Sequence, residues 1–486
     1  MNVSLSLVPL SGRRGLTAGV VCFFTLLSQP VFARSVTPLE LTLVSPVQLV
    51  GTEADVYGLR LNVLGGQNHN VYGFDVGLFN LSQNSAGFLV GLANLSEGDT
   101  VGFQTALGFN SSGGCHLYSQ VAGLSNVSGD SVVGWQVAGF SNSTQGSLAG
   151  VQLTVGHNAV TGDVGFVQVA GLGNSVDGDA LGLQGASLFN HLDGDMLGLQ
   201  LAGGVNRADT VTGAQLAGLV NIADDAFGPQ VAGIANISEG TSATQFAAGF
   251  NAAEFVVGPQ VAGLWNFADE VGGPQVALIG NRADATLGGQ YALGFNYAED
   301  FSPVMIAGLY NENDSTAGLM ATGGFNVASS SLVAVAGVLN VVGQGTGLQA
   351  AGGLNYSPRF DGFQIAAGGN HTNKGNVVQI ALVGNSAFEG RAIQFAGVAN
   401  YAERITGAQF AAVNKAGDLT GLQLGGFNRS EHTSGLMIGL FNSTDSLYGA
   451  QFGLLNVVAD GPVPFAPLFN AAAMGPGCRG SRSCGG

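Results

Sequence analysis

Charge is scarce in this chain. Only 9% of its 486 residues are charged, and 14 Lys+Arg stand against 31 Asp+Glu. A formal charge of −17 leaves no basic surface to displace phosphate counterions, which excludes nucleic acid as a partner. Proline is rare, at 13 residues, so the chain is not a Pro-rich linker. Four cysteines are too few for a disulfide scaffold. No run of 18 apolar residues lacks Gly or polar breaks, so no spanning helix is expected beyond the N-terminus. There is no phosphate loop, Gly-x-Ser-x-Gly elbow, His-Glu-x-x-His or Cys-x-x-Cys. The six His are scattered, Cys115-His116 is an isolated pair, and Trp135 and Trp265 fall inside strand-like segments as packing residues. These absences predict a non-enzymatic protein with no catalytic residues and no cofactor.

What is abundant is Gly, 80 residues, within a chain that is 46% hydrophobic. The hydrophobicity excludes a disordered polar chain, and the Gly residues lack the every-third register of collagen.

Residues 1–33 carry the marks of an export signal. Arg13 and Arg14 precede an apolar core from Leu16 to Leu27, and Val31-Phe32-Ala33 offers a cleavage site. Export places the protein at the cell surface, in the outer membrane or outside the cell. Residues 34–64 are expected as N-terminal capping strands and 65–470 as a repeat array. Residues 471–486 form a flexible tail, in which Cys478 and Cys484 could close a small loop.

The array has one short motif, typified by Gly213-Ala214-Gln215-Leu216-Ala217-Gly218-Leu219-Val220-Asn221. Its Asn recurs 27 times between Asn80 and Asn470, at steps of mostly 16, then 15, then 14 residues. A Gln column precedes it by six residues from Gln104 to Gln394, with a gap after Gln290, and by five from Gln409 onward. Units this short and Gly-rich suit strands and turns rather than helices. The expected fold is all-β: a parallel β-solenoid of about 27 coils of 14–16 residues. Stacked coils would bring each Asn over the last at about 4.8 Å, so that the amides bond along the column. The alternative is an antiparallel outer-membrane β-barrel channel. Blockwise drift in repeat length fits coils that must match their neighbours. A barrel would alternate short and long turns, and odd and even repeats here look alike.

Three residues after the Asn, acids recur without a gap at Asp209, Asp224, Glu239, Glu254, Asp269, Asp284, Glu299 and Asp314. Acids favour turns and keep a surface soluble. The sharper expectation is a cation track, because aligned carboxylates about 5 Å apart repel by roughly 0.8 kcal/mol even in water. Weak divalent cation binding is the one ligand the sequence points to.

Two stretches near the start, Val56-Tyr57-Gly58-Leu59-Arg60-Leu61-Asn62 and Asn70-Val71-Tyr72-Gly73-Phe74-Asp75-Val76-Gly77-Leu78-Phe79-Asn80, resemble the opening of a leptospiral-type surface-repeat family. The unit Gly421-Leu422-Gln423-Leu424-Gly425-Gly426-Phe427-Asn428 is similar to its repeat. The resemblance spans residues 55–470, with an extra residue in most copies. It implies an exported, surface-associated bacterial protein and brings no catalytic residues. The function expected is that of a structural spacer or multivalent interaction surface for an unknown surface or extracellular partner, with membrane association left open.

Overall fold

The computed structural model describes residues 34–472. The proposed export signal and Cys478–Cys484 loop lie outside them. The protein is all-β, with no helix among the described residues, and winds as a parallel β-solenoid of about 25 turns rather than a barrel. It forms two compact units, Met1–Val257 and Gly258–Gly486.

In the first unit, equivalent Gln and Asn residues of successive coils pair in parallel, with register shifts where repeat lengths differ or the stack begins, as between Gly91 and Ala93. Gln136 opposes Gln120 and Gln152, and Asn142 opposes Asn126 and Asn158. The strand Leu148–Thr154 turns through a two-residue bend into His157–Val160, and the pattern repeats. The second unit follows the same rule, with Gln275 between Gln260 and Gln290 and Asn281 between Asn266 and Asn296.

A coil this narrow has room for little. Two small apolar files fill the space, as with Leu148 and Val160, Val164 and Val176, Ala180 and Leu192, and Met196 and Ala208 in the first unit. Phe360, Val377, Ala392 and Ile405 do so in the second. Each buried Val or Leu stabilises the stack by about 1.5–3 kcal/mol, but only when a neighbouring coil covers it.

The remaining interior is polar. Each Asn of the column donates its Nδ2 to the Oδ1 of the next, at 2.8 to 3.0 Å from Asn94 to Asn221. Each Gln donates its Nε2 backwards, to the Oε1 of the previous coil. The two amide ladders therefore run with opposite polarity and their side-chain dipoles oppose. The Gln ladder breaks where Met305, Met320 and Ala334 take its place. At that break Gln290 Oε1 and Gln349 Nε2 are buried without partners, as the two ends of interrupted ladders must be.

Gly213 shows why the position two before Gln is usually Gly. Its φ is +144°, and a Cβ there would stand 1.9 Å from the Gly198 carbonyl oxygen of the previous coil. Two aromatics nonetheless occupy this file with positive φ, Tyr118 and Phe166, and both project into solvent.

Both ends are closed. Val36–Val44 stacks in parallel on the chain from Asp55, and Val47–Gln48 folds back on it antiparallel. At the other end Phe465–Ala472 runs antiparallel to the coil before it, pairing Asn470 with Gln451. The last of the expected coils is thus a closing strand. Pro462 and Pro464 remove backbone donors and restrict φ where the chain reverses, so Asn470 ends a closing strand and not a further coil. Ala471 and Ala472, expected in the tail, belong to that strand. Such hairpins blunt edges that would otherwise template further strands.

Candidate functional site

Strand alternation fixes what the solenoid shows to solvent. Because Gln points inward, the residues on either side of it point out. The position after Gln is apolar through most of both units and about two-fifths exposed, from Val121 at 40% to Phe452 at 45%. Two residues before Asn, at the bend, a second apolar file stands out further, with Phe140 at 67% and Leu454 at 60%. Between them the floor is Ala and Gly. The result is a shallow apolar furrow, lined in the first unit by Val169, Ala170, Ala186, Leu201, Ala202 and Leu216. In the second unit it is lined by Ile380, Ala381, Phe395, Ala396, Ala411 and Leu424. Alternation also corrects one packing expectation: Trp135 precedes an inward Gln and is 61% exposed. Trp265 is half-buried and stacks on Phe267 at 5.9 Å.

The acid file follows the bend ridge by five residues along the chain. In the first unit Asp209, Asp224, Glu239 and Glu254 each stand three residues after a ladder Asn, as do Asp269, Asp284, Glu299 and Asp314 in the second; Asp209, Asp224, Glu254, Asp269 and Asp314 lie within strands rather than the expected turns, and the other three at bends. Burial and then Asp224 push the Asp209 carboxyl above its ordinary range, and burial followed by Glu299 and Asp269 does the same to Asp284. Some relief comes from within the chain. Arg282 reaches Glu299 at 3.4 Å, and Tyr297 donates its hydroxyl to Asp314 at 2.9 Å. That hydrogen bond pushes the Tyr297 hydroxyl up to about 12. Among the described residues no group of three or more His, Cys, Asp or Glu is arranged to hold a metal ion. Nearby acids instead cap backbone: Asp163 accepts from Asp179 N–H, and Asp179 accepts from Asp195 N–H.

A charged node in the first unit was not anticipated from the sequence. Arg60 and Asp75 are both fully buried and paired, with Arg60 Nε 2.8 Å from Asp75 Oδ1. Arg60 also donates to Asn68 Oδ1 and to the Leu81 carbonyl. Asn62 donates to both Asp75 and Asn80. Asn62 thereby joins this pair to the head of the Asn ladder. Burial pushes the Asp75 carboxyl up, against the pull of Arg60. Glu40, opposite Arg60 in register and also buried, accepts the backbone N–H groups of Leu49 and Val50. A fixed interior net of this kind orients the first coils and offers no open position to a substrate.

His116 sits in the apolar file between Thr100 and Val132, 1% exposed. Burial pushes its pKa down to about 4. Its folded value is depressed, so between pH 6.5 and 4 the unfolded chain takes up a proton that the fold refuses. Stability is full above about 6.5 and falls by roughly 3 kcal/mol as the pH drops towards 4. Thermal unfolding at pH 7 and pH 4.5 should show this loss in the native protein. In His116→Leu the difference between the two pH values should shrink; an unchanged difference would place the acid lability elsewhere.

Fold and surface together define a structural repeat protein of the parallel β-solenoid class. No protein-family model, curated protein or solved structure matches the chain.

Proposed function

We propose that the protein is exported and works at the bacterial surface as a non-enzymatic scaffold, presenting a long apolar face to other molecules. One observation carries this. In both units the residue after Gln, free to be polar in a surface strand, is Val, Leu, Ile or Phe in coil after coil. Soluble monomers rarely expose contiguous apolar patches above roughly 300–600 Å², and larger ones mark contact surfaces. The N-terminal Arg13-Arg14 and apolar core support export, and the resemblance to leptospiral-type surface repeats supports the address.

Cell fractionation tests the proposal. The protein should appear in the envelope or the medium, shortened by about 33 residues. Replacing Val169, Leu201 and Leu216 with Glu should shift it from the envelope to the medium while preserving its strand-type circular dichroism. A full-length cytoplasmic protein would overturn the proposal.

A further inference from the structure

We infer that the apolar face is covered by a second copy of this chain, the bend ridge of each copy seated in the furrow of the other. This names the partner for the interaction face proposed above and rests on that proposal.

The argument begins with period. Furrow positions repeat once per coil, about 4.8 Å apart, and ridge side chains stand on short runs of adjacent coils set off by Gly, such as Gly353 and Gly368. A ligand must bring a row of branched apolar side chains at that spacing to fill successive notches. The ridge of another copy carries such a row: Val383 and Val398, on adjacent coils, are 56% and 53% exposed and match the scale of the Ala-floored notches beside Ile380 and Phe395. The patch and its complement lie on one surface, which is the condition for a closed twofold pair.

Area comes next. In the second unit alone, seventeen apolar side chains of these two files are 36% to 60% exposed. Their open surface is on the order of 1,000 Å² per copy, above the roughly 800 Å² per partner of a stable interface. Charge permits the contact, because no charged residue lines the furrow in either unit. Strand addition at the ends is blocked by the antiparallel closures Val47–Gln48 and Phe465–Ala472, so association proceeds sideways, through side chains. A bilayer is the weaker occupant, since the acid-rich chain offers few cations to lipid headgroups.

Sedimentation of the full chain in detergent-free buffer tests this across a concentration series. The expected mass is twice the 48.9 kDa of one chain. The furrow variant Ile380→Glu/Phe395→Glu and the ridge variant Val383→Lys/Val398→Lys should each weaken self-association by about 100-fold or more. Mixed together, they should form a heterodimer, with acid furrow against basic ridge, and this recovery requires both to be folded. Tyr356→Glu, on the strand after Asn, should leave the dimer intact. A monomer at every concentration, a dimer indifferent to both variants, or monomeric binding to phosphatidylcholine vesicles would each overturn the inference. A monomer still held at the cell surface would leave the scaffold proposal standing. Cytoplasmic protein that dimerises would defeat the scaffold proposal instead.

Discussion

Removing either partner of the Arg60–Asp75 pair will loosen the first coils of the N-terminal unit at a cost of about 3–5 kcal/mol. Both side chains are wholly shielded from water, so Asp75→Leu strands a guanidinium and Arg60→Met strands a carboxylate. The loss reaches the amide ladder because Asn62 bonds to Asp75 and to Asn80 together. Replacing both residues should restore most of the stability, to within about 1–2 kcal/mol, since a well-packed apolar pair is nearly equivalent to a buried ion pair. The next residue of that file, Leu89, is already apolar and buried. Urea unfolding of both single variants and the double variant, with hydrogen exchange across residues 55–96, measures the coupling. Additive losses would mean that the two side chains act independently and that the node is not a unit.

That node was written in the sequence but masked by the chemistry that made the repeat visible. Asn and Gln stood out because a narrow polar interior needs an amide in the same place on each coil, and one-residue changes in loop length left that place intact. Aligning Gly-x-Gln instead of Gln alone brings Gly58-Leu59-Arg60, Gly73-Phe74-Asp75 and Gly87-Phe88-Leu89 into the column ahead of Gly102-Phe103-Gln104. The Gln file thus begins as Arg, Asp and Leu, and a search for a repeated residue type passes over them. Trp135 was misjudged for a different reason. Aromatic content alone argues for packing, whereas its place beside an inward Gln obliges it to face out. The apolar face was legible by the same alternation. The reversal at Asn470 was less so, since its motif survives and only the flanking prolines announce that stacking has ended.

Replacing the donor of one rung of the Asn ladder with an acceptor will destabilise more than deleting the side-chain amide. Asn221 Nδ2 donates to Asn236 Oδ1 at 2.9 Å and to the Val231 carbonyl at 2.8 Å, while its Oδ1 accepts from Asn206 at 3.0 Å. Asn221→Leu leaves Asn236 Oδ1 and the Val231 carbonyl without this donor, at a cost of about 2–4 kcal/mol. Asn221→Asp keeps the shape but aims a carboxylate oxygen at two acceptors in a water-free interior, costing about 4–5 kcal/mol or more at pH 7. The Asp variant should then regain stability in acid. Its buried carboxyl has a raised pKa in the fold, so the protonated form, able to donate to Asn236, is favoured at low pH and lost as the pH rises. A stability difference between the Asp and Leu variants that narrows from pH 7 to pH 4.5 is the signature of a rung that needs a donor. Were the Asp variant the milder at pH 7, the Nδ2 donations to Asn236 and Val231 would not be what holds this rung.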